Sequence, residues 1–448
     1  MLDSVSLFSA RAPRYTSYPT APHFHAGIDE RAWRRWLGAL APVSPVSLYV
    51  HIPFCDTLCW FCACHTTVVN RYAPVRAYCD LLTDELEKVA AALGRTAPVR
   101  QIHWGGGSPT MLAPGDIARL ANAIGANFNV GPKTEFAVEI DPRGFSSESA
   151  DALAAAGLTR ASIGVQDCDP QVQRAINRVQ SMETTRAAVD LLRSRGVASL
   201  NIDLVYGLPQ QTVKGLERTI DFALSLNPDR LAVFGYAHVP HFKKHQKLIA
   251  EDALPAPAER FEQAMAAQTR ISERGYIPVG IDHFARPTDS LAVALAEGAL
   301  HRNFQGYTTD DSPALIGVGA SAIGSLPQGY VQNLPDVRTY RAALAAGRLA
   351  TARGVALSAE DRLSRDAIER LMCDLAVDLG AVAGAHGRTR DIFAPALEEL
   401  APLMAAGVVT LAGDRLIVAP QWRVLTRLVC AAFDAYLKDG AARHAVAV

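Results

Sequence analysis

Apolar, β-rich runs alternate along most of the chain with segments in which apolar residues recur at helical spacing. The first pattern predicts buried strands, and the second predicts amphipathic helices. The predicted strands cover residues 46–53, 99–104, 135–141, 160–166, 200–206, 230–238 and 276–283. The predicted helices cover residues 76–93, 151–156, 184–195, 216–226 and 258–274. Repeated βα units of this kind indicate an α/β fold with a parallel sheet.

The number of βα units favours an open or partial barrel over a doubly wound sheet, and ligands are then expected at the carboxyl ends of the strands. The pattern changes past about residue 335. Helices are predicted at 365–375, 395–406 and 423–437, with a hairpin formed by 408–411 and 416–419. We therefore predict an N-terminal segment covering the active site (1–45), a partial barrel (46–335) and a mostly helical C-terminal domain with a small hairpin (336–448).

Length and composition are those of a large enzyme, since 448 residues with 49% apolar content can bury a sizeable core. The net charge of −1 gives no general attraction to nucleic acid or to an anionic membrane. Residues 1–14 lack the apolar core of a signal peptide, and no apolar run reaches membrane-spanning length. We expect a cytoplasmic protein in a reducing compartment. Balanced charge and the absence of a heptad pattern favour a monomer.

The main candidate for chemistry is a cysteine loop after the first predicted strand, in which Cys55, Cys59 and Cys62 are separated by three and two residues. Three thiolates can bind three irons of a cubane cluster and leave the fourth iron open for a cofactor. A structural zinc site normally uses four ligands in two pairs, and a disulfide framework belongs to small secreted chains. Cys64 leaves open a fully ligated cluster or a zinc site. The other cysteines are scattered and resemble buried apolar residues.

A glycine run follows the second predicted strand, in the segment His103-Trp-Gly-Gly-Gly-Ser-Pro-Thr110. Without β-carbons, the backbone can approach a ligand closely and offer it amides and carbonyls. Glycine-rich strand exits also serve as plain turns. Its position one strand after the cysteine loop makes it a more specific indication of a ligand site.

Polar residues also occur at or near the ends of the following strands, namely Glu139, Gln166, Asp167 and Asp203. Acidic side chains are costly in apolar strands unless they have partners. One such residue could simply cap a helix. Four of them on consecutive strands favour a binding site.

Several motifs, in one order along nearly the whole chain, resemble a known family. The segment Tyr49-Val-His-Ile-Pro-Phe-Cys55, with Cys59, Cys62 and the glycine run, resembles the radical S-adenosylmethionine (radical SAM) superfamily. Within it the chain is similar to the oxygen-independent coproporphyrinogen III oxidases. The motifs are Pro13-Arg-Tyr-Thr-Ser-Tyr-Pro-Thr20, Cys62-Ala-Cys64, Gly164-Val-Gln-Asp167, Asp203-Leu-Val-Tyr-Gly-Leu-Pro209, Tyr236-Ala-His238, Asp282-His-Phe-Ala-Arg-Pro287 and Asn303-Phe-Gln-Gly-Tyr-Thr-Thr309.

The resemblance implies a partial (β/α)6-type radical SAM barrel and an oxidoreductase of porphyrin and haem biosynthesis. Such enzymes remove carbon dioxide from two propionates of coproporphyrinogen III, without oxygen, and leave the vinyl groups of protoporphyrinogen IX. They use a [4Fe-4S] cluster and SAM-derived 5′-deoxyadenosyl radicals, which take a hydrogen atom from the propionate. The reaction also needs an electron donor and a terminal electron acceptor.

The matching positions imply roles for individual residues. Cys55, Cys59 and Cys62 would be the cluster ligands. One SAM would lie at Tyr49, Gly106, Glu139 and Ile323, and a second at Phe61, Gly107, Ser108, Gln166, Arg178, Asp203 and Ala237. Phe304 and Gln305 are further candidates, and Arg14, Arg286 and Arg302 are candidates for the substrate propionates.

Some positions depart from the family pattern, and three other functions stay open. Ser108 stands where Thr is usual, Ala63 and His65 where Gly and Asn are common, and Gly235 where Asn is frequent. None of these changes removes an implied ligand. A haem-binding chaperone with a vestigial cluster, a related SAM-consuming enzyme and a zinc-stabilised structural protein are the alternatives.

Overall fold

The central apolar runs form six consecutive parallel strands, each paired with its neighbour in sequence. They are β1 (Val46–Ile52), β2 (Pro98–Gly106), β3 (Asn129–Ile140), β4 (Arg160–Gln166), β5 (Ser199–Tyr206) and β6 (Arg230–Gly235). This computed structural model describes residues 4–439. Residues 1–3 of the predicted N-terminal segment and 440–448 of the predicted C-terminal domain lie outside the described residues.

Further strands extend the sheet at both edges. They are β7 (Ile277–Val279), β8 (His283–Ala285), β9 (Ala314–Val318), β10 (Ile323–Leu326), β11 (Gly329–Asn333) and β12 (Thr351–Ala356). In the described chain the order is β12-β11-β10-β9-β1-β2-β3-β4-β5-β6-β8-β7. Strand β9 runs parallel to β1, and the added strands beyond β9 and β6 are antiparallel. The sheet is open, so the predicted α/β class with a partial barrel is confirmed.

Helices connect the parallel strands and bury the apolar residues of the sheet in one large core. The connecting helices are α3 (Ala73–Leu93), α4 (Pro114–Asn127), α5 (Ser147–Ala155), α6 (Pro170–Ala175), α7 (Met182–Ser194), α8 (Val213–Ser225) and α9 (Pro257–Ser272). Two shorter helices, α1 (Ser4–Ser9) and α2 (Glu30–Gly38), precede β1. The side chains of Ser146, Ser181 and Thr212 each accept a hydrogen bond from an amide of the first helical turn, which explains where α5, α7 and α8 begin.

Past β6 several elements differ from the sequence prediction. The predicted strand 276–283 is two short strands, because Gly280 (φ +53°) turns the chain and a β-carbon there would overlap the Tyr307 ring. The predicted helix 423–437 is broken into α16 (Thr426–Ala431) and two 3₁₀ turns. Buried Asp434 accepts hydrogen bonds from the Tyr436 amide and the Tyr15 hydroxyl. The Tyr436 amide is thus bonded to a side chain and not to a helical carbonyl.

The C-terminal region has its own core. It is formed by α12 (Ala359–Asp374), α13 (Leu379–Ala385), α14 (Ala394–Glu399), α15 (Ala401–Ala405) and α16. Helix α11 (Val337–Ala345) packs on the main core, and α10 (Ser290–Ala296) belongs to a small separate cluster. The predicted hairpin is confirmed as Val409–Ala412 and Arg415–Val418. Leu7, Phe8, Tyr15 and Tyr18 of the N-terminal segment pack into this core. The domain division after residue 335 stays a prediction, and β12 belongs to the main sheet.

No helix among residues 4–439 combines the length and the apolar character needed to cross a bilayer.

A buried carboxylate ties α3 to the β9–β10 connection. Glu85 accepts hydrogen bonds from the Gly319 amide (2.6 Å), from Asn333 Nδ2 (2.7 Å) and from the Tyr340 hydroxyl. Burial raises the pKa of Glu85 to about 7, although these donors favour the charged form. The network positions the loop that leads into Ile323.

Replacing Glu85 is expected to alter how stability depends on pH. Because its pKa is raised, the folded chain holds the proton more tightly than the unfolded chain, and stability falls as pH rises from about 4.3 through about 7. Glu85→Gln does not titrate, so relative to wild type it should gain roughly 3 kcal/mol across this window. Urea unfolding of both proteins at several pH values measures the difference. Glu87→Gln, an exposed position on the same helix, is the control. A difference independent of pH would contradict the prediction.

Candidate functional site

The cysteine loop leaves β1 and is anchored at both ends. Its first residues, Phe54–Cys55, pair in parallel with Thr67–Val68. Midway along the loop, Asn177 Nδ2 donates to the Leu58 carbonyl (2.9 Å), and the Trp60 amide donates to the Ile176 carbonyl (2.9 Å). These contacts fix the loop over the carboxyl ends of the parallel strands, where a ligand site was predicted.

Cys55, Cys59 and Cys62 line one cavity of about 330 Å³ in this loop, together with Cys64. Cys59 is buried, Cys55 and Cys62 are half-buried, and Cys64 is exposed. Among the described residues, no three Cys, His, Asp or Glu side chains converge on a point suited to one metal ion. A zinc site needs ligands within about 2.3 Å of one ion, whereas a cubane cluster spreads its thiolates over separate irons. The donor set fits the cluster better than zinc.

Two guanidinium groups face the innermost cysteine. Arg143 Nη2 and Arg178 Nη1 each lie 3.6 Å from Cys59 Sγ. Asp141 bridges the pair, at 2.6 Å from Arg143 Nη2 and 3.1 Å from Arg178 Nη1. These contacts place two positive charges at the Cys59 sulfur. Sequence reasoning missed Arg143, although Asp141-Pro142-Arg143 follows β3 at the carboxyl edge where site residues were expected.

The remaining thiols are unequal. Burial, followed by the charges of the neighbouring Cys62 and Cys59, raises the pKa of Cys55 to about 12. A hydrogen bond with Cys64 lowers the pKa of Cys62 to about 7. Without added positive charge, three thiolates in this space would repel one another. Bound iron supplies such charge, which is a second way in which the donor set fits a cluster.

The glycine run lets β2 pack closely on the cysteine loop, in addition to letting its backbone approach a ligand. A β-carbon on Gly107 would lie 2.7 Å from the Phe54 carbonyl oxygen and 3.0 Å from Cys55 Sγ. Gly106 has φ +122°, and its β-carbon would lie 2.8 Å from the His51 ring. The run therefore brings β2 close against the cysteine loop.

Glu139 and Asp203 both line this cavity, but their pKa values are shifted in opposite directions. Glu139 accepts hydrogen bonds from the Gly106 amide (3.1 Å) and His103 Nε2 (3.2 Å). Burial alone would raise the pKa of Glu139, but these partners outweigh it and lower that pKa. For Asp203, burial prevails and raises the pKa despite hydrogen bonds from Ser162 and Asn201. An ionised Glu139 is suited to a ligand ammonium group.

Most of the predicted SAM residues line this cavity, and three do not. The lining residues are Phe61, Gly106, Gly107, Glu139, Gln166, Arg178, Asp203 and Ala237. Tyr49 is half-buried in β1 with its hydroxyl 2.9 Å from His51 Nδ1, and Ser108 bonds Thr110 (2.8 Å). Ile323 packs towards Phe24 and Tyr330. Asp167 is fully buried and holds Gln211, Thr219 and the Asp169 amide, so its role is structural.

A second cavity adjoins the first and is rich in arginine. The two share Arg14, Cys64, Phe234 and Gly235. The second is lined by Arg14, Asp282, Arg302, Phe304, Gln305 and Arg427, among others. It will be called the arginine cavity. Arg427 was not predicted, because it comes from the C-terminal region, far from the other residues in sequence.

Arg286 does not lie there, contrary to expectation. Its guanidinium donates to the Pro228 carbonyl (2.9 Å) and to Asn227, which precede β6 at the amino edge of the sheet. It has a structural role in that loop.

Charges in the arginine cavity are unbalanced. Burial alone would raise the pKa of Asp282, but His283, Arg302 and Arg14 outweigh it and lower that pKa to about 2. Burial, followed by the charge of Arg14, lowers the pKa of Arg427 to about 10. Three guanidinium groups therefore face one carboxylate at neutral pH. Within residues 4–439, Nε and Nη1 of Arg302 are buried and have no hydrogen-bond partner. This cavity is suited to anionic ligands.

Residues 49–223 match the model of the radical SAM superfamily. The fold agrees, since the solved structure of the Escherichia coli coproporphyrinogen III oxidase HemN, a radical SAM enzyme, superimposes with a TM-score of 0.90. That match has 40% sequence identity and covers 94% of this chain and 97% of the other. Fold and site together define a radical SAM protein.

Curated relatives narrow the assignment from the radical SAM superfamily to one family. The oxygen-independent coproporphyrinogen III oxidase of Bradyrhizobium diazoefficiens is 51% identical over 99% of each chain. The protein of that name from Paracoccus denitrificans is 44% identical over 100% of this chain and 99% of its own. This chain belongs to the family of oxygen-independent coproporphyrinogen III oxidases.

Substitution of the cysteines tests the assignment of the cluster ligands. We expect Cys55→Ser, Cys59→Ser and Cys62→Ser each to reduce bound iron from about four to below about one per chain after anaerobic reconstitution, with loss of the charge-transfer absorption. Cys64→Ser, the matched control, should keep both. A full cluster in Cys55→Ser, or its loss in Cys64→Ser, would show that the wrong thiols were chosen.

Proposed function

We propose that this chain decarboxylates two propionates of coproporphyrinogen III oxidatively, without oxygen, and forms protoporphyrinogen IX. One observation carries this proposal: the similarity to enzymes of that name extends over both the cysteine loop and the arginine cavity. A cavity for one-electron chemistry adjoins a cavity for carboxylates, and the substrate needs both.

Cys55, Cys59 and Cys62 would hold a [4Fe-4S] cluster, with Arg143 and Arg178 balancing the thiolate charge at Cys59. The cluster and SAM, when bound, supply the one-electron chemistry that removes a hydrogen atom from the substrate. Cys64 would remain an accessory residue at the mouth of the cavity. Its carbonyl accepts from Lys243 Nζ (2.8 Å).

Two SAM molecules are part of the proposal. The ionised Glu139 would accept from the ammonium group of one, beside the Gly106 backbone, with Tyr49 and Ile323 supporting its surroundings. Phe61, Gly107, Ser108, Gln166, Arg178, Asp203 and Ala237 would serve the second. Arg178 is suited to bind the carboxylate of this SAM. It is buried, and its Nη2 already donates to the Gly164 carbonyl (2.7 Å), which fixes the plane of the guanidinium group.

The arginine cavity would hold substrate carboxylates. Arg14 comes from the N-terminal segment, Arg302 from the chain before β9, and Arg427 from α16. Arg302 lies with its Cζ 4.5 Å from the centroid of the Tyr307 ring, which fixes the guanidinium while leaving polar atoms for a ligand. Phe304 and Gln305 line the same wall.

A reducing, cytoplasmic setting is supported by the free thiols of the chain, which include the exposed Cys64. A monomer is supported because residues of one chain line both cavities. The electron donor and the terminal acceptor would be separate partners.

Product analysis tests the reaction. Protein reconstituted with iron and sulfide under anaerobic conditions is supplied with reductant, SAM, coproporphyrinogen III and an electron acceptor. We expect methionine and protoporphyrinogen IX to form together, and neither to form with Cys55→Ser. SAM cleavage without decarboxylation would indicate a different SAM-consuming enzyme. Haem binding without SAM cleavage would indicate a haem chaperone. A colourless protein that contains zinc would contradict the assignment as an enzyme.

Loss of the Arg302 charge tests the carboxylate site. Arg302→Gln removes charge-assisted hydrogen bonds worth about 2 kcal/mol, which corresponds to an increase in KM of about thirtyfold. A partly decarboxylated product should accumulate, and Arg302→Lys should recover part of the loss. Product carboxylate counts by mass spectrometry and steady-state kinetics measure both effects. Arg338→Gln, an exposed position, is the control. An unchanged KM would contradict the assignment.

A further inference from the structure

Lysine is concentrated in one short segment of this chain. Of seven lysines in the sequence, three fall at Lys243, Lys244 and Lys247. Residues 239–250, which will be called the lysine segment, contain no acidic residue. With three lysines and no carboxylate of its own, the segment has a positive charge.

The lysine segment contacts the cysteine loop directly. His245 Nε2 donates to the Cys62 carbonyl (2.7 Å), and Lys243 Nζ donates to the Cys64 carbonyl (2.8 Å). Buried Gln246 donates from Nε2 to the Phe61 carbonyl (3.0 Å) and accepts from the Val239 amide (2.6 Å). The segment is therefore the outer wall of the loop that would hold the cluster.

The opposite side of the lysine segment faces solvent and carries both charge and apolar area. Phe242 is 76% exposed and Leu248 is 59% exposed. Lys244 and Lys247 are also exposed, and neither takes part in an ion pair within the described chain. An exposed aromatic ring beside unpaired lysines is typical of a contact surface more than of a merely solvated face.

In the sequence, acidic residues directly follow the lysine segment. Glu251 and Asp252 follow it, and Glu251 lies 3.2 Å from His238 Nε2. These carboxylates bound the positive surface on one side without neutralising Lys244 or Lys247.

We propose that the lysine segment is the docking surface for an acidic one-electron carrier protein, which reduces the cluster through the adjacent cysteine loop. This inference rests on the proposed function, because a resident cluster must be supplied with electrons. Each docking event would transfer one electron: the carrier is oxidised by one electron and the cluster is reduced by one. No proton or atom moves between the two proteins.

The size and charge of the surface favour such a partner. Electron-transfer complexes are transient and bury small areas, below about 1,200 Å², so a short segment suffices. Complementary charge brings the partners together quickly without tight binding. The exposed Phe242 and Leu248 would supply the apolar centre of the contact, surrounded by the lysines.

A variant with reversed charge in the lysine segment distinguishes docking of the carrier from the chemistry at the cluster. The variant Lys244→Glu/Lys247→Glu leaves Lys243, which holds the cysteine loop, in place. Binding of an acidic flavodoxin and of a plant-type ferredoxin is measured by titration at low and high salt. Stopped-flow absorbance then follows oxidation of the reduced carrier by the reconstituted protein. We expect binding to weaken and transfer to slow by about tenfold at low salt, with the difference shrinking at high salt.

Reduction by dithionite provides the internal comparison, because it needs no docking protein. Cluster reduction and SAM cleavage with dithionite should stay within about twofold of wild type. The control variant Lys133→Glu/Arg338→Glu changes the same charge at exposed positions on other elements and should leave carrier binding unaltered. Failure of dithionite-driven turnover in wild type would count against the proposed function instead.

Three results would overturn the docking proposal. The first is equal carrier binding and transfer in wild type and the charge-reversed variant. The second is an equal loss in the control variant. The third is wild-type protein that binds anionic lipid vesicles but neither carrier, which would assign the lysine segment to a membrane surface.

Discussion

The structure depends on one electrostatic constraint, which is that three cysteine sulfurs must remain close together beside buried carboxylates. Asp141, Arg143 and Arg178 meet this constraint at Cys59: two guanidinium groups contact the sulfur, and the carboxylate fixes both of them. The loop and Glu139 then line the same cavity. The glycine run is part of the same constraint, because β2 must approach Phe54 and Cys55 more closely than a β-carbon permits. Charge and backbone packing thus act together at one edge of the sheet.

The two cavities of the site are built from different parts of the chain. The cavity lined by Cys55, Cys59 and Cys62 is built mainly from the carboxyl ends of parallel strands and the hydrogen-bonded loops after them. The arginine cavity is assembled from distant segments, and its walls include Arg14 before the sheet and Arg427 after it. The Arg14 guanidinium, whose Nη2 lies 3.3 Å from the Gly235 carbonyl, stands at the boundary between them. A reaction that must exclude water from one compartment and accept a large anion in the other is served by this division.

Features that obey local rules were predictable from the sequence, whereas features that depend on contacts between distant residues were not. Cys55, Glu139 and Asp203 were predictable because strand ends in a parallel sheet converge on one edge. Helix α4 was missed because Pro114-Gly115 reads as a turn, although proline is also favoured in a first helical turn. Arg427 has no local signal, and its place is decided by how α16 packs. Arg286 lies within a shared motif, yet the motif there maintains a loop at the other edge of the sheet.

The arginine cavity is enclosed by the ends of the chain, and this explains why so many polar side chains are buried between them. The Tyr15 hydroxyl donates to Asp434 (3.0 Å), the Tyr18 hydroxyl accepts from the Ala435 amide (3.0 Å), and Arg427 Nη1 lies 3.5 Å from the Ala12 carbonyl oxygen. Burial, followed by the Asp434 charge, raises the pKa of Tyr15 far above its ordinary value, so this hydroxyl keeps its proton and remains a donor. Hydrogen bonds of this kind are directional, whereas apolar packing alone would let the segments slide. The position of Arg14 is therefore set by its neighbours in the N-terminal segment, and the spacing of the three guanidinium groups depends on it.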